Sequence, residues 1–225
     1  MQRKILILGS EGLIGSKISR YFMEEDFFVE SFDLLTGHDF TKLEVLESIL
    51  KNSDADVLIN VFGIDYSPDE TSLKLGLRQS MDNFEKDFAL NVITTYASCR
   101  LFIESRQSGS IINFSSIYGL VSPNPRLYDG GEKPIYYGVS KAAIIQMSKH
   151  LAVHHAPRFR INVVAPGGIL DKQAFDFVEK YNSSVPMQRM GSTEDLIPAI
   201  HMLAKAENNY MTGSVIVVDG GWTSL

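Results

Sequence analysis

The stretch Ile5-Leu6-Ile7-Leu8-Gly9-Ser10-Glu11-Gly12-Leu13-Ile14-Gly15 decides the fold. Four consecutive apolar residues read as a strand buried on both faces. Three glycines follow, each three apart, and then Ile14, Ile18, Tyr21 and Phe22 fall at helical spacing. A strand, a glycine turn and a helix in direct succession let backbone N–H groups at the helix N-terminus approach a pyrophosphate. Asp33, which ends the next apolar run, supplies the acidic residue of a dinucleotide fingerprint. Gly9, Glu11, Gly12, Leu13, Ile14, Gly15 and Asp33 are therefore candidate cofactor-binding residues.

Outward from this segment the same alternation repeats. Apolar runs stand at Phe27 to Phe32, Val57 to Phe62, Ile111 to Phe114, Ile161 to Val164 and Val215 to Val218, with stretches of helical period between them, such as Phe84, Phe88, Val92, Tyr96 and Cys99. Runs that are continuous rather than alternating suit a parallel sheet covered on both faces, and the β-α order implies right-handed crossovers. The expected architecture is one doubly wound α/β domain spanning residues 1–225, since no repeat or Pro/Ser linker divides the chain.

Composition agrees. The 225 residues are 44% apolar and 21% charged, enough to build a sizeable core and unlike a disordered tail. The single cysteine, Cys99, excludes an internal disulfide and fits a reducing compartment, with a cytoplasmic location expected. The apolar run at the start stops at Leu8, too short for a signal peptide, and no run approaches the roughly 18 apolar residues of a membrane span. A formal charge of −6 without a Lys/Arg cluster gives no footprint for nucleic acid or anionic lipid. Small-molecule chemistry is the remaining expectation.

A second chemical signal is Tyr137-Gly138-Val139-Ser140-Lys141 at the start of an apolar-periodic helix. A spacing of four residues puts phenol and ammonium on one helical face. The cation favours phenolate and draws the tyrosine pKa from about 10 toward neutrality, as a proton donor to a carbonyl or acceptor from an alcohol requires. Tyr136 competes for the role, but Ser140 stands four residues after it and supplies no charge.

Together with Asn60-Val61-Phe62-Gly63, Asn91, Ser115-Ser116, Pro166-Gly167 and Val218-Asp219-Gly220-Gly221, these motifs resemble the short-chain dehydrogenase/reductase family from about residue 3 to residue 224. The resemblance implies a seven-stranded parallel sheet of Rossmann type. It implies Tyr137 as general acid/base and Lys141 as the residue that holds the nicotinamide ribose and lowers the tyrosine pKa. Ser116, followed by two residues and Gly119, matches the serine that hydrogen-bonds the reacting oxygen. Asn91 matches the asparagine of the proton relay, and as a helix residue it also reads as the cap of a kink. Pro166, Gly167 and Ile169 match the segment along the nicotinamide, Asn60, Val61, Phe62 and Gly63 the loop beside the adenosine ribose, and Asp39 and Phe40 the adenine contacts. The family's equivalents of the helices holding Phe88 to Phe102 and Ala142 to Leu151 pair across a two-fold axis, so a homodimer or homotetramer is expected.

Several departures modify the expectation. Leu8 replaces a frequent Thr, and Val61-Phe62 replace Asn-Ala. Between Asp33 and Asp39 there is no room for the usual helix and strand, so one sheet edge should be trimmed. The glycine spacing is closer to the sugar-nucleotide epimerases and dehydratases of the same superfamily, but those add a C-terminal substrate domain and this sequence stops four residues after Gly221. Asp33 accepts from a ribose 2′-hydroxyl and repels a 2′-phosphate, no Arg follows it, and Glu11 adds a second anion, which favours NAD over NADP.

Twenty residues separate Ser116 from Tyr137, among them Tyr118, Arg126, Tyr128, Asp129, Glu132 and Lys133. A long polar loop with aromatics over the site suggests a hydrophilic, hydroxylated or anionic substrate, with a solvated surface excursion as the alternative. The run Ser116-Ile117-Tyr118-Gly119 with Ser122-Pro123 resembles reductases of bacterial surface-sugar pathways. Phe175, Phe177 and Tyr181 form the expected opposite wall or simply pack. His150 and His154 lack a third ligand nearby, so no metal site is expected, and no Gly-x-Ser-x-Gly elbow surrounds Ser116. The leading expectation is an NAD(H)-dependent oxidoreductase interconverting a secondary alcohol and a carbonyl on a small polar substrate. An NAD-dependent sugar epimerase or dehydratase and a catalytically silent NAD-sensing regulator are the alternatives.

Overall fold

The computed structural model describes residues 2–25, 27–64, 75–128 and 131–225, and Asp129 of the long loop lies outside them. Six strands, β1 (Arg3–Leu8), β2 (Phe27–Phe32), β3 (Val57–Asn60), β4 (Gly109–Phe114), β5 (Phe159–Pro166) and β6 (Val215–Val218), form one sheet in the order β2-β1-β3-β4-β5-β6. Every neighbouring pair is parallel. The helices are α1 (Leu13–Glu24), α2 (Leu43–Asn52), α3 (Leu77–Phe88), α4 (Thr95–Glu104), α5 (Ile135–His155), α6 (Phe175–Ser184) and α7 (Ile197–Ala204).

Among the described residues the sheet has six strands, where the resemblance implied seven. Residues 33–42 between β2 and α2 hold only a 3-10 turn, Leu34–Thr36, so β2 is left as the edge. The trimmed edge expected from the short Asp33 to Asp39 spacing is what removes the strand.

Side chains of β1 alternate between two cores. Leu6 and Leu8 pack with Leu46, Leu50, Phe102 and Leu151 of α2, α4 and α5. Ile5 and Ile7 pack with Ile18, Phe22 and Ile200 of α1 and α7. Each such fully buried side chain is worth about 1.5–3 kcal/mol. A one-residue register slip would exchange the two sets, so burial on both faces pins the pairing of β1 with β3.

The chain leaves β1 for β2 on one side and returns to β3 on the other, which makes the carboxyl ends of β1 and β3 the topological switch point where such sheets bind ligands. A π-helical segment, Ala89–Thr94, joins α3 to α4 and contains Asn91. Thr94 Oγ1 donates to the carbonyl of Ala89 at 2.9 Å, spanning the widened turn. Such segments commonly mark functional positions.

Candidate active site

The glycine turn at the switch point is a cradle that side chains would fill. A Cβ on Gly9 (φ +99°) would lie 2.4 Å from the backbone nitrogen of Phe62, and one on Gly15 would lie 1.9 Å from the Gly9 carbonyl oxygen. Gly12 differs, because a Cβ there would meet only the Gly9 oxygen, at 3.9 Å. Gly12 also serves as the N-cap of α1, which has no capping side chain and no acidic residue in its first turn. That helix end has the open, electropositive character that receives a pyrophosphate. A dinucleotide therefore fits the residues present. Asp33 ties the turn in place: Glu11 N donates to its Oδ2 at 3.1 Å and Leu35 N to its Oδ1 at 2.9 Å.

Two of the adenosine-side residues have their side chains committed elsewhere. Phe40 is buried against Phe62, with ring centroids 5.4 Å apart, so its ring belongs to the core and only its main chain can face an adenine. Asn60 is also buried: its Nδ2 donates to Asn113 Oδ1 at 2.8 Å and its Oδ1 accepts from Ser98 Oγ at 3.0 Å. Asn113 in turn donates to Ser148 Oγ at 2.9 Å. This buried polar chain fastens β3 and β4 to α4 and α5, with every amide oxygen in it satisfied. Asp39 accepts from the Thr41 hydroxyl at 2.6 Å and from Thr41 N at 3.1 Å, and these bonds hold its carboxyl below the ordinary carboxylate range.

The catalytic candidates converge on the start of α5. Lys141 is buried although it carries a charge, and its ammonium lies 5.6 Å from the centroid of the Tyr137 ring. A second ammonium, that of Lys133 from the long loop, lies 4.7 Å from the same centroid. Ser115 Oγ donates to the Lys141 carbonyl at 2.8 Å, which seats the turn after β4 on α5. Ser116 caps the next 3-10 turn, its Oγ accepting from Tyr118 N at 3.2 Å. From the other side, a Cβ on Gly63 would lie 2.9 Å from Asn91 Oδ1 and 3.4 Å from Lys141 Nζ, so the absent side chain lets asparagine and ammonium approach one corner.

The segment after β5 is held by Tyr181, which the sequence offered as a wall of the site or as packing, and by Asp219 and Trp222 near the end of the chain. Gly168 N donates to Tyr181 Oη at 2.7 Å, and Tyr181, its phenol pushed up by burial, stacks on Trp222 at 4.8 Å. Asp219 accepts from Gly221 N, Thr223 N and Thr223 Oγ1, which shapes the turn against Gly167. Ile169, partly buried, forms an isolated bridge to Gly191. One end of the long loop is docked: Leu127 and Tyr128 join Tyr181, Val185 and Met190 in a third apolar cluster, and Tyr128 and Tyr118 pair through their hydroxyls at 3.0 Å, while Leu120, Val121, Ser122, Pro125 and Arg126 are exposed. Sequence reasoning missed Asp87, a fully buried carboxyl that accepts from Asn91 Nδ2 at 2.9 Å. Its signal was present in the spacing of four residues, which places Asp87 and Asn91 on one helical face.

His150 and His154 adjoin with ring centroids 4.3 Å apart and planes tilted by 41°. Among the described residues no cluster of three His, Cys, Asp or Glu side chains could hold a metal, and no helix is long and apolar enough to cross a membrane.

A parallel Rossmann-type sheet with a glycine cradle at its switch point and a Tyr/Lys pair beside it defines a nicotinamide-dependent oxidoreductase site. Residues 44–223 match the family model described as enoyl-(acyl carrier protein) reductase. The chain is 32% identical over 84% of its length to glucose 1-dehydrogenase of Gluconobacter oxydans, covering 70% of that protein. It is 28% identical to the uncharacterized short-chain type dehydrogenase/reductase y4vI of Sinorhizobium fredii, of which it spans 44%. A short-chain dehydrogenase from Leptospira borgpetersenii with bound NAD+ superposes with a TM-score of 0.86 at 28% identity, covering 99% of this chain and 93% of that one. ElxO with NADP bound superposes at 0.83 and 28% identity over the full length of both chains. The chain belongs to the short-chain dehydrogenase/reductase family of oxidoreductases.

Proposed function

We propose that this protein is an NAD(H)-dependent dehydrogenase/reductase that interconverts a secondary alcohol and a carbonyl on a small polar substrate of the sugar class. The observation that carries this reading is the buried Lys141 ammonium set between the Tyr137 ring and the Asn91/Gly63 corner. Burying an ammonium is costly, so a fold that does so beside a half-buried phenol has placed it where its charge acts on that phenol.

A bound nicotinamide supplies or accepts the hydride. The remaining work falls to this chain. Tyr137 Oη gives a proton to the carbonyl oxygen in reduction and takes one from the alcohol in oxidation. Lys141 stabilises the phenolate and holds the ribose hydroxyls. Ser116 Oγ accepts from Tyr118 N, which turns its own proton toward the substrate oxygen. Pro166, Gly167 and Ile169, fixed from behind by Tyr181 and Asp219, wall the nicotinamide side. Asp33 receives the ribose 2′-hydroxyl and disfavours a 2′-phosphate. The polar residues of the 117–134 loop, and the likeness to a glucose 1-dehydrogenase, support a hydroxylated substrate. Association into a homodimer or homotetramer through the α4 and α5 faces, and residence in the cytoplasm, complete the reading.

The test is a screen of sugar derivatives, simple ketones and alcohols, followed by NADH absorbance. Turnover with a polar carbonyl or polyol is expected. Tight NADH binding with no turnover on any of them would leave the NAD-sensing regulator as the better reading.

A further inference from the structure

The most anomalous group outside the described chemistry is Asp87. It lies on the last turn of α3, directly before the π-helical segment, and none of its surface is exposed. Its neighbours in sequence, Glu85 and Lys86, are exposed, so the carboxyl has been turned inward by the fold rather than left at a solvated face. Removing a carboxyl from water is costly unless hydrogen bonds compensate, and a position kept polar against that cost needs a reason.

The geometry points to a positioning role, and we infer that Asp87 sets the orientation of the Asn91 amide and thereby shapes the Lys141 end of the site. This inference rests on the proposed participation of Asn91 in catalysis. An asparagine amide has two nearly isosteric ends, one donating and one accepting. At Asp87 it is an acceptor oxygen, Oδ2, that meets the amide, and it takes the NH2 end, which donates at 2.9 Å. Asn91 Oδ1 is thereby aimed the opposite way, where it accepts from Ile64 N at 3.3 Å and reaches the Gly63 corner beside Lys141 Nζ. With the amide reversed, two donors would face the Ile64 N–H and the ammonium. The π-helical turn supplies the remaining condition, because it carries Asn91 into the buried face four residues after Asp87.

The experiment is a double-mutant cycle of Asp87→Val and Asn91→Ala, read as kcat, substrate KM and NADH affinity on the substrate found by the screen. A positioning residue that acts only through Asn91 should lower kcat by roughly ten- to hundredfold when removed, a loss typical of a misplaced catalytic group. NADH affinity should stay near that of the unmodified protein. In the Asn91→Ala background the same substitution should cost nothing further in kcat. Additive losses, or a folded Asp87→Val protein with undiminished kcat, would overturn the inference. If Asn91→Ala itself leaves kcat unchanged, the underlying reading of Asn91 fails instead. Where Asp87→Val does not fold, Asp87→Asn takes its place in the cycle. Its amide can present either end to Asn91, so a smaller, still non-additive loss is expected, and additivity would again reject the role.

Discussion

Tyr136 and Tyr137 adjoin in sequence and sit in opposite environments: Tyr136 is fully buried with its ring edge-on to Phe84 at 6.1 Å, while Tyr137 is half-buried between two ammonium groups. Consecutive helical residues are separated by about 100°, so only one of the pair can face Lys141. Tyr137→Phe keeps the ring and its contacts with both lysines and removes only the proton donor. NADH should still bind, and turnover should fall by at least the 10² to 10⁴ typical of general acid/base catalysis. Tyr136→Phe should retain most activity and lose some stability. Measured kcat values in the reverse order would refute the assignment.

The proposed preference for NAD rests on Asp33. In the unmodified protein NADH should bind more tightly than NADPH by titration of NADH fluorescence, and Asp33→Ala should narrow the difference. The same substitution removes the acceptor for Glu11 N and Leu35 N, so the glycine turn should lose about 0.5–2 kcal/mol of local stability, as for a lost cap. Equal affinity for the two coenzymes before mutation would count against the role.

The apolar runs made the six strands legible, and the missing strand was legible as a segment too short to hold it. The Tyr/Lys pair and the glycine turn were equally readable, because their chemistry depends on spacing within one local element. What could not be read locally was where polar side chains go when tertiary packing turns them inward. Asn60 sits at the end of an apolar strand and reads as a loop contact, yet its amide closes a buried network with Asn113 and Ser98 from two other elements. Asp87 reads as one more charge beside Glu85 and Lys86; its spacing of four puts it on the face of Asn91, but that this face is buried is set by tertiary packing. Leu127 and Tyr128 gave no periodic signal because their partners, Tyr181 and Val185, are far along the chain.

Assembly is tested by the faces of α4 and α5. Ile93, Tyr96, Val139 and Val153 are exposed large apolar residues on or beside these helices. They should be covered in a homodimer or homotetramer, and Val153→Glu should weaken it by placing a charge against apolar surface. Light scattering at micromolar concentration reads the mass. A monomer before mutation would reject the arrangement.

Cys99 offers a chemical check on the core. It is fully buried and its thiol is pushed up to about 12 by that burial, despite hydrogen bonds from the Asn113 and Asn60 amides that partly oppose the shift. Thiolate is the reactive form, so the native protein should resist alkylation at neutral and mildly alkaline pH and react rapidly once denatured. Rapid native labelling, read by mass spectrometry, would show that the α4 face against β3 and β4 opens.

The glycine turn separates fold from cofactor binding within one motif. At Gly15 an added methyl would press into the Gly9 carbonyl at 1.9 Å, a backbone atom that cannot swing away. Overpacking of that kind costs about 1–3 kcal/mol, which for a domain of this size lowers Tm by roughly 2–12 °C. At Gly12 the added methyl has room on the protein side, with only the Gly9 oxygen at 3.9 Å, so Gly12→Ala should fold with a Tm near that of the unmodified protein. The space it enters is the open end of α1, the proposed seat of the pyrophosphate, so NADH affinity should drop while stability holds. Thermal unfolding and NADH titration of both variants give the comparison. A Gly12→Ala protein that binds NADH normally would place the coenzyme phosphates elsewhere than on this turn.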